Sequence, residues 1–209
     1  MSDDPQRDAV IDALIPQVPF DGWTHKALRQ ALTSLGEHPD DAALLFPEGA
    51  GEMIEAFCAL ADERMAEAAQ AAGLQALRLP DRVRAIIAIR LQQNRVAKEA
   101  IRRALAWLTL PLNTPRAVRI TANTVDAIWH AAGDTSADFS WYTKRAILTG
   151  VYSATLLYWL RDTSEDDAAT LAFLDRRLAG VGRIGRVRKR LDARLHRLRT
   201  GAKGLLPAG

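Results

Sequence analysis

An all-α protein is what this sequence predicts, and three observations carry that reading. Ala, Leu and Arg dominate while β-branched residues are sparse, and the former lose little rotamer freedom in a helix. Apolar residues recur at steps of three and four, with no periodic strand pattern, repeat or low-complexity segment. Pro, Gly, Ser and Thr punctuate these runs where helices start and stop. At 209 residues the chain is long enough to bury a core as one domain or two small ones.

The elements follow in order. Val10, Ile11, Leu14 and Ile15 predict a helix over Arg7–Gln17, limited by Pro16 and Pro19. Phe20-Asp21-Gly22-Trp23 reads as a turn carrying two large rings. Thr24 caps a helix to about Leu35, with Ala27, Leu28, Ala31, Leu32 and Leu35 inward, and Gly36 accepts the left-handed conformation at its end. A short helix is expected from Pro39 to Phe46, then a longer one from Ala50 to about Ala72. Leu79-Pro80-Asp81 starts a helix with Val83, Ile86, Ile87 and Leu91 inward, continuing or restarting through Ala97–Trp107. Thr114 and Pro115 open the next, over Ala117–Ala132, with Val118, Thr121, Val125, Ile128 and Trp129 as one stripe. Phe139–Leu160 is the most apolar helix, and Ser164 caps its successor.

The first three helices form a head whose second and third have helix-turn-helix lengths. Charge argues against DNA binding there. No Lys or Arg lies between Arg29 and Arg64, while Glu37, Asp40, Asp41, Glu48, Glu52 and Glu55 occupy the interval. A helix in the major groove must neutralise phosphates, and this one would bring negative charge to them. The net charge of +3 conceals a strong polarity. Residues 1–60 carry three Lys/Arg against eleven Asp/Glu, and residues 168–209 carry eleven against two. The basic end has helical spacing, with Arg183, Arg186, Arg190 and Arg194 beside an apolar seam. It suits an anionic bilayer, an acidic partner, or packing on the body with a solvated face; nucleic acid is disfavoured by the lack of a reading motif.

No catalytic set is expected. His25, His38, His130 and His196 are scattered, and HExxH, CxxC and phosphate-loop patterns are absent from the sequence. The lone cysteine, Cys58, permits no intrachain disulfide and has no base beside it; it reads as a small buried side chain in a reducing compartment. No stretch reaches eighteen apolar residues, and the opening MSDDPQRD has neither a secretory nor a transit pattern. A helical body this rich in Leu, Ile and Trp accommodates a solid core or an apolar ligand cavity equally well, since buried area does not distinguish them.

The most unusual stretch is DAIWHAAGDTSADFSWYTKR, Asp126–Arg145: a helix breaks at Gly133-Asp134 and restarts with aromatic rings grouped at its mouth. Together with VPFDGWTHKAL (Val18–Leu28), LLFPEGAGEMIEAF (Leu44–Phe57) and FLDRRL (Phe173–Leu178), it resembles the ubiquinone-biosynthesis accessory family, the ninth Coq protein and its proteobacterial relatives. The resemblance runs through about Arg7–Val187. It implies a tetracycline-repressor-like fold, with a helix-turn-helix-like head at 1–65 not expected to bind DNA. A lipid-binding and dimerisation body is expected at 66–182, and a basic extension at 183–209. It further implies a non-enzymatic homodimer that binds isoprenoid quinone intermediates and assists the di-iron demethoxyubiquinone hydroxylase. Asp138, Trp141 and Tyr142 fall on the family's partner-facing surface. Better-known members continue into a membrane-lying amphipathic helix, whereas this chain continues as IGRVRKRLDARLHRLRT.

The expectations are then specific. A cavity lined by Ile86, Ile87, Val125, Trp129, Ile147 and Leu148 holds a polyprenyl-aromatic lipid, with no metal and no other cofactor. Helices near Thr143–Leu160 and Glu165–Leu178 form the dimer, and the basic extension meets an anionic membrane. The protein is expected to be cytoplasmic, peripheral on the inner face of a bacterial inner membrane. The competing readings are a repressor-like transcriptional regulator and a scaffold without lipid.

Overall fold

The computed structural model describes residues 5–134 and 140–180, and every regular element among them is helical. The order is α1 Pro5–Leu14, α2 Val18–Asp21, α3 His25–Ser34, α4 Ala42–Leu45, α5 Ala50–Ala71, α6 Leu79–Gln93, α7 Lys98–Leu108, α8 Thr114–Ala131 and α9 Ser140–Trp159, followed by helical residues 168–180, here α10. The long α5 is the spine, packing chiefly on α8 and α6.

The local signals account for most boundaries. Thr24 Oγ1 accepts from the Ala27 amide at 3.2 Å, capping α3. Gly36 and Gly133 take positive φ (79° and 72°) where α3 and α8 end. At Gly133 the chain reverses with its own amide donating to the His130 carbonyl and the Asp134 amide to that of Trp129, which satisfies two open carbonyls of the last turn. Two expectations change. The segment Phe20–Trp23 is not wholly a turn, because Val18–Asp21 closes one helical turn before Gly22. The helix expected over Pro39–Phe46 divides into a 3₁₀ turn, Pro39–Asp41, and the four-residue α4.

Two apolar clusters fill the interior. In the first, Val10, Ile11, Leu14, Leu28, Leu32 and Phe46 pack on Met53 and Ile54 of α5. The head does not complete this cluster alone: Ala100, Ala104 and Leu108 of α7 belong to it, and the Trp23 indole donates to the Ala100 carbonyl at 3.0 Å. In the second, Met65 of α5 meets Ile86, Ile87, Ile128, Leu148, Trp159 and Leu174. A bidentate Arg84–Asp175 pair (2.5 and 3.1 Å) ties α6 to α10. No described helix is long and apolar enough to cross a membrane.

Candidate functional site

Where the two clusters meet, the helices leave a cavity of about 80 Å³. Its walls come from five helices: Phe57 and Cys58 of α5, Leu91 of α6, Ile101 and Leu105 of α7, Ile120 of α8, Leu156 and Trp159 of α9. Burial pushes the Cys58 thiol up to about 12, so it is a protonated wall element and not a nucleophile.

One side of the cavity is polar. Arg90 of α6 is 6% exposed and lines it together with Thr124 and Tyr152. The Arg90 Nε donates to the Tyr152 hydroxyl at 2.9 Å, and its guanidinium lies 2.6 Å from the Asp62 carboxylate. Thr124 donates to the other Asp62 oxygen at 2.9 Å. Burial raises the Asp62 pKa, opposed by Arg90 and by the Thr124 hydrogen bond. Burial also raises Tyr152, which therefore keeps its proton. For Arg90 burial works against the charge, but Tyr152 and Asp62 outweigh it and the pKa rises.

None of the six side chains expected to line a cavity lines this one. Ile86, Ile87, Val125 and Leu148 are buried in the second cluster instead. Trp129 is half-buried, with the Lys144 ammonium 5.7 Å from its ring centre. Ile147 is 40% exposed. The physical reason is angular: α9 turns Leu148, Val151, Tyr152 and Thr155 inward, and a one-residue step swings Ile147 about 100° away. Val118, placed on the inner stripe of α8 by spacing, is also exposed. The polar residues that do reach the interior had a legible signal. Asp62, Arg90, Thr124 and Tyr152 each sit three or four residues from inward apolar positions of their own helices, where a solvated side chain is not expected.

A second feature is the start of α9. Trp141 and Tyr142 meet edge to face, with ring centres 4.7 Å apart, and Tyr142 is 70% exposed. The Arg145 guanidinium stacks 3.7 Å over Trp141 and also pairs with Asp126. Lys144 pairs with Asp134 at 2.8 Å, linking α9 to the end of α8. Asp138, expected beside this pair, lies outside the described residues, as do Arg183, Arg186, Arg190 and Arg194. Among the described residues no group of three His, Cys, Asp or Glu side chains has metal-binding geometry.

Comparison with known proteins places this architecture. A family model described as COQ9 matches residues 114–185, which holds α8, α9 and the aromatic pair. The Schizosaccharomyces pombe ubiquinone biosynthesis protein coq9, mitochondrial, is 33% identical over 170 residues, covering 81% of this chain and 67% of its own. This chain belongs to the COQ9 family. The Rattus norvegicus COQ9 protein is 31% identical over 202 residues, 93% of this chain and 64% of its own length. The chain thus spans a little under two thirds of such animal COQ9 proteins. A solved structure of a TetR transcriptional regulator from Nitrosomonas europaea superposes with a TM-score of 0.68 and 28% identity, covering 84% of this chain and 97% of that one. The TetR-like helical fold is therefore established, and the COQ9 relatives are ubiquinone biosynthesis proteins. One expectation is corrected. Placement on the inner face of a bacterial inner membrane is overturned, because the COQ9 relatives are mitochondrial proteins. That placement rested on the lack of a transit pattern in the opening residues and on a bacterial style of sequence, and neither fixes where the family resides.

Proposed function

We propose that this protein is a lipid-binding accessory factor of ubiquinone biosynthesis, holding an isoprenoid quinone intermediate and assisting the di-iron demethoxyubiquinone hydroxylase. The observation that carries the proposal is the cavity at the seam of the two clusters, with apolar walls from five helices, read with COQ9 membership. Covering apolar ligand surface contributes roughly 25 cal/mol per Å². At about 80 Å³ the cavity as it stands takes only a ring or the start of a prenyl chain, so a long tail enters as the half-buried Leu105 and Leu156 swing aside. The Trp141–Tyr142 pair, half-buried at Trp141 and exposed at Tyr142, is the surface that meets the hydroxylase, being aromatic, braced by Arg145 and next to the α8–α9 turn. The uncovered apolar side of α9, with Ile147, Leu157 and Tyr158, and the Phe173 ring stacked on Tyr158 at 4.6 Å, form the homodimer face.

Solvent extraction and native mass spectrometry of protein purified from a quinone-producing host test the proposal. A co-purifying polyprenyl lipid is expected; no such lipid, together with no uptake of added quinone precursor, would contradict it. The regulator reading draws support from the Nitrosomonas europaea relative, itself a TetR transcriptional regulator. Against it, α4 is only four residues long, and Glu48 in the turn after it and Glu52 and Glu55 on α5 are paired internally with Arg116, Arg7 and Arg119. A gel shift at low salt separates the readings: sequence-specific saturation favours the regulator, and binding that vanishes with salt does not.

A further inference from the structure

Arg90 is the least expected residue inside the molecule. A guanidinium loses several kcal/mol of hydration on burial, and a buried ion pair is often replaceable by apolar side chains at no loss of stability. Its presence therefore asks for a role besides packing. Four facts locate one. Arg90 lines the cavity, whereas its counter-ion Asp62 does not, so the carboxylate stands behind the guanidinium and not in the ligand space. The guanidinium has five N–H donors in a plane. Its Nε donates to the Tyr152 hydroxyl at 2.9 Å and its Nη2 reaches Thr124 at a long 3.5 Å, while Nη1 lies 2.6 Å from Asp62 as an ion pair without hydrogen-bond alignment and has no hydrogen-bond partner among the described residues. Tyr152 accepts from Arg90, and its own proton has no protein acceptor among the described residues. Both side chains are more than nine-tenths buried.

The geometry points to Arg90 and Tyr152 as the head-group anchor of this cavity: together they donate hydrogen bonds to a neutral oxygen acceptor, a ring carbonyl or ring ether, on an otherwise apolar ligand. This rests on the lipid-binding reading above and adds to it a specific recognition element. The acceptor is neutral because Asp62 already balances Arg90, so a carboxylate or phosphate in the cavity would meet no net positive charge and would lose its own hydration. A hydrocarbon would fill the walls but leave the donors unanswered. Recognition by buried donors discriminates strongly against a ligand lacking the matching acceptor, because the donors then stay unpaired. Arg90 and Tyr152 thus select the ring, and the apolar walls accept whatever tail follows.

The test is a titration of the full-length protein with three probes sharing one short prenyl tail: a benzoquinone, the corresponding benzene without ring oxygens, and the corresponding carboxylic acid. Wild type is expected to bind the quinone at least ten-fold more tightly than either of the others. The double variant Asp62→Leu/Arg90→Met, which removes the pair without stranding a charge, should lose that preference while keeping its affinity for the hydrocarbon. Tyr152→Phe, which preserves the ring and its packing, should reduce the preference several-fold and supplies the answer if the double variant does not fold. Equal wild-type affinity for quinone and hydrocarbon would overturn the anchor while leaving lipid binding intact. Tighter binding of the acid would overturn the neutral acceptor. Binding of none of the three by wild type would remove the lipid-binding reading and the anchor with it.

Discussion

Asp162 and Asp167, in the turn after α9, show how single side chains fix this fold. Asp162 accepts from the Ser164 amide at 2.8 Å and from the Thr170 amide and hydroxyl at 2.8 and 2.5 Å, closing the first turn of α10. Burial opposes its charge, but these hydrogen bonds outweigh it and hold the carboxyl well below the usual range. Asp167 is likewise opposed by burial and held low by Arg95 and Lys98, at 2.7 and 3.0 Å. Asp166 and Asp167 have φ of 51° and 54°, a conformation these ion pairs fix in place. Because both folded pKa values lie below the unfolded ones, their stabilisation is complete above about pH 4 and is lost as pH falls through the folded values. Asp162→Asn should cost about 1 kcal/mol at pH 7 by denaturant melt, and the gap between variant and wild type should narrow on acidification below pH ~4. A gap unchanged at low pH would deny that the charged form does the capping. Gly51 is a different case: a Cβ there would lie 1.7 Å from the Arg116 guanidinium and 2.8 Å from the Trp107 ring. Arg116 is able to move aside but the indole is not, so overpacking should outweigh the helical gain of Ala and Gly51→Ala should destabilise by about 1 kcal/mol. A thermal melt at or above the wild-type midpoint would refute the close approach.

At the scale of elements, boundaries were far more legible than faces. Thr24, Gly36 and Gly133 end or begin helices through local hydrogen bonds, which involve residues close in sequence and so are written in it. The bounds of α5 and α6 follow the same way from Gly49 and Pro80. Faces depend on what a helix meets. On α9 apolar residues lie all around, so spacing alone could not separate the inward Leu148 and Tyr152 from the outward Ile147 and Leu157. That outward side is the proposed dimer face, and Leu157→Glu should shift the protein towards monomer in light scattering at micromolar concentration with its helical content unchanged. A wild type that is already monomeric would remove the dimer proposal. At the head of the same helix, Trp141→Ala should leave the melt within about 1 kcal/mol of wild type, since the ring is half-buried on the surface. It should weaken hydroxylase binding by more than ten-fold; undiminished binding would sink the interface assignment.

For the molecule as a whole, the sequence displayed an all-α, repressor-like protein and its family blocks, but not its cavity. The space lies between two clusters, one organised by α1–α4 and α7, the other by α6, α9 and α10. No local pattern encodes it, because it arises from how two separately packed groups of helices abut on α5. A cavity retained for a ligand has a cost that can be measured. Ala104 borders it and is buried, so Ala104→Leu should fill it, stabilise the ligand-free protein by about 0.5–1 kcal/mol, and weaken uptake of a prenylated quinone at least ten-fold. The central claim, that this seam holds the isoprenoid quinone, is tested most directly by photo-crosslinking with a prenylated quinone bearing a diazirine near the ring, followed by peptide mapping. Adducts on Leu105, Tyr152, Leu156 or Trp159 are the predicted result. Adducts confined to the exposed side of α9, or to the Ile86–Ile87 region, would contradict it.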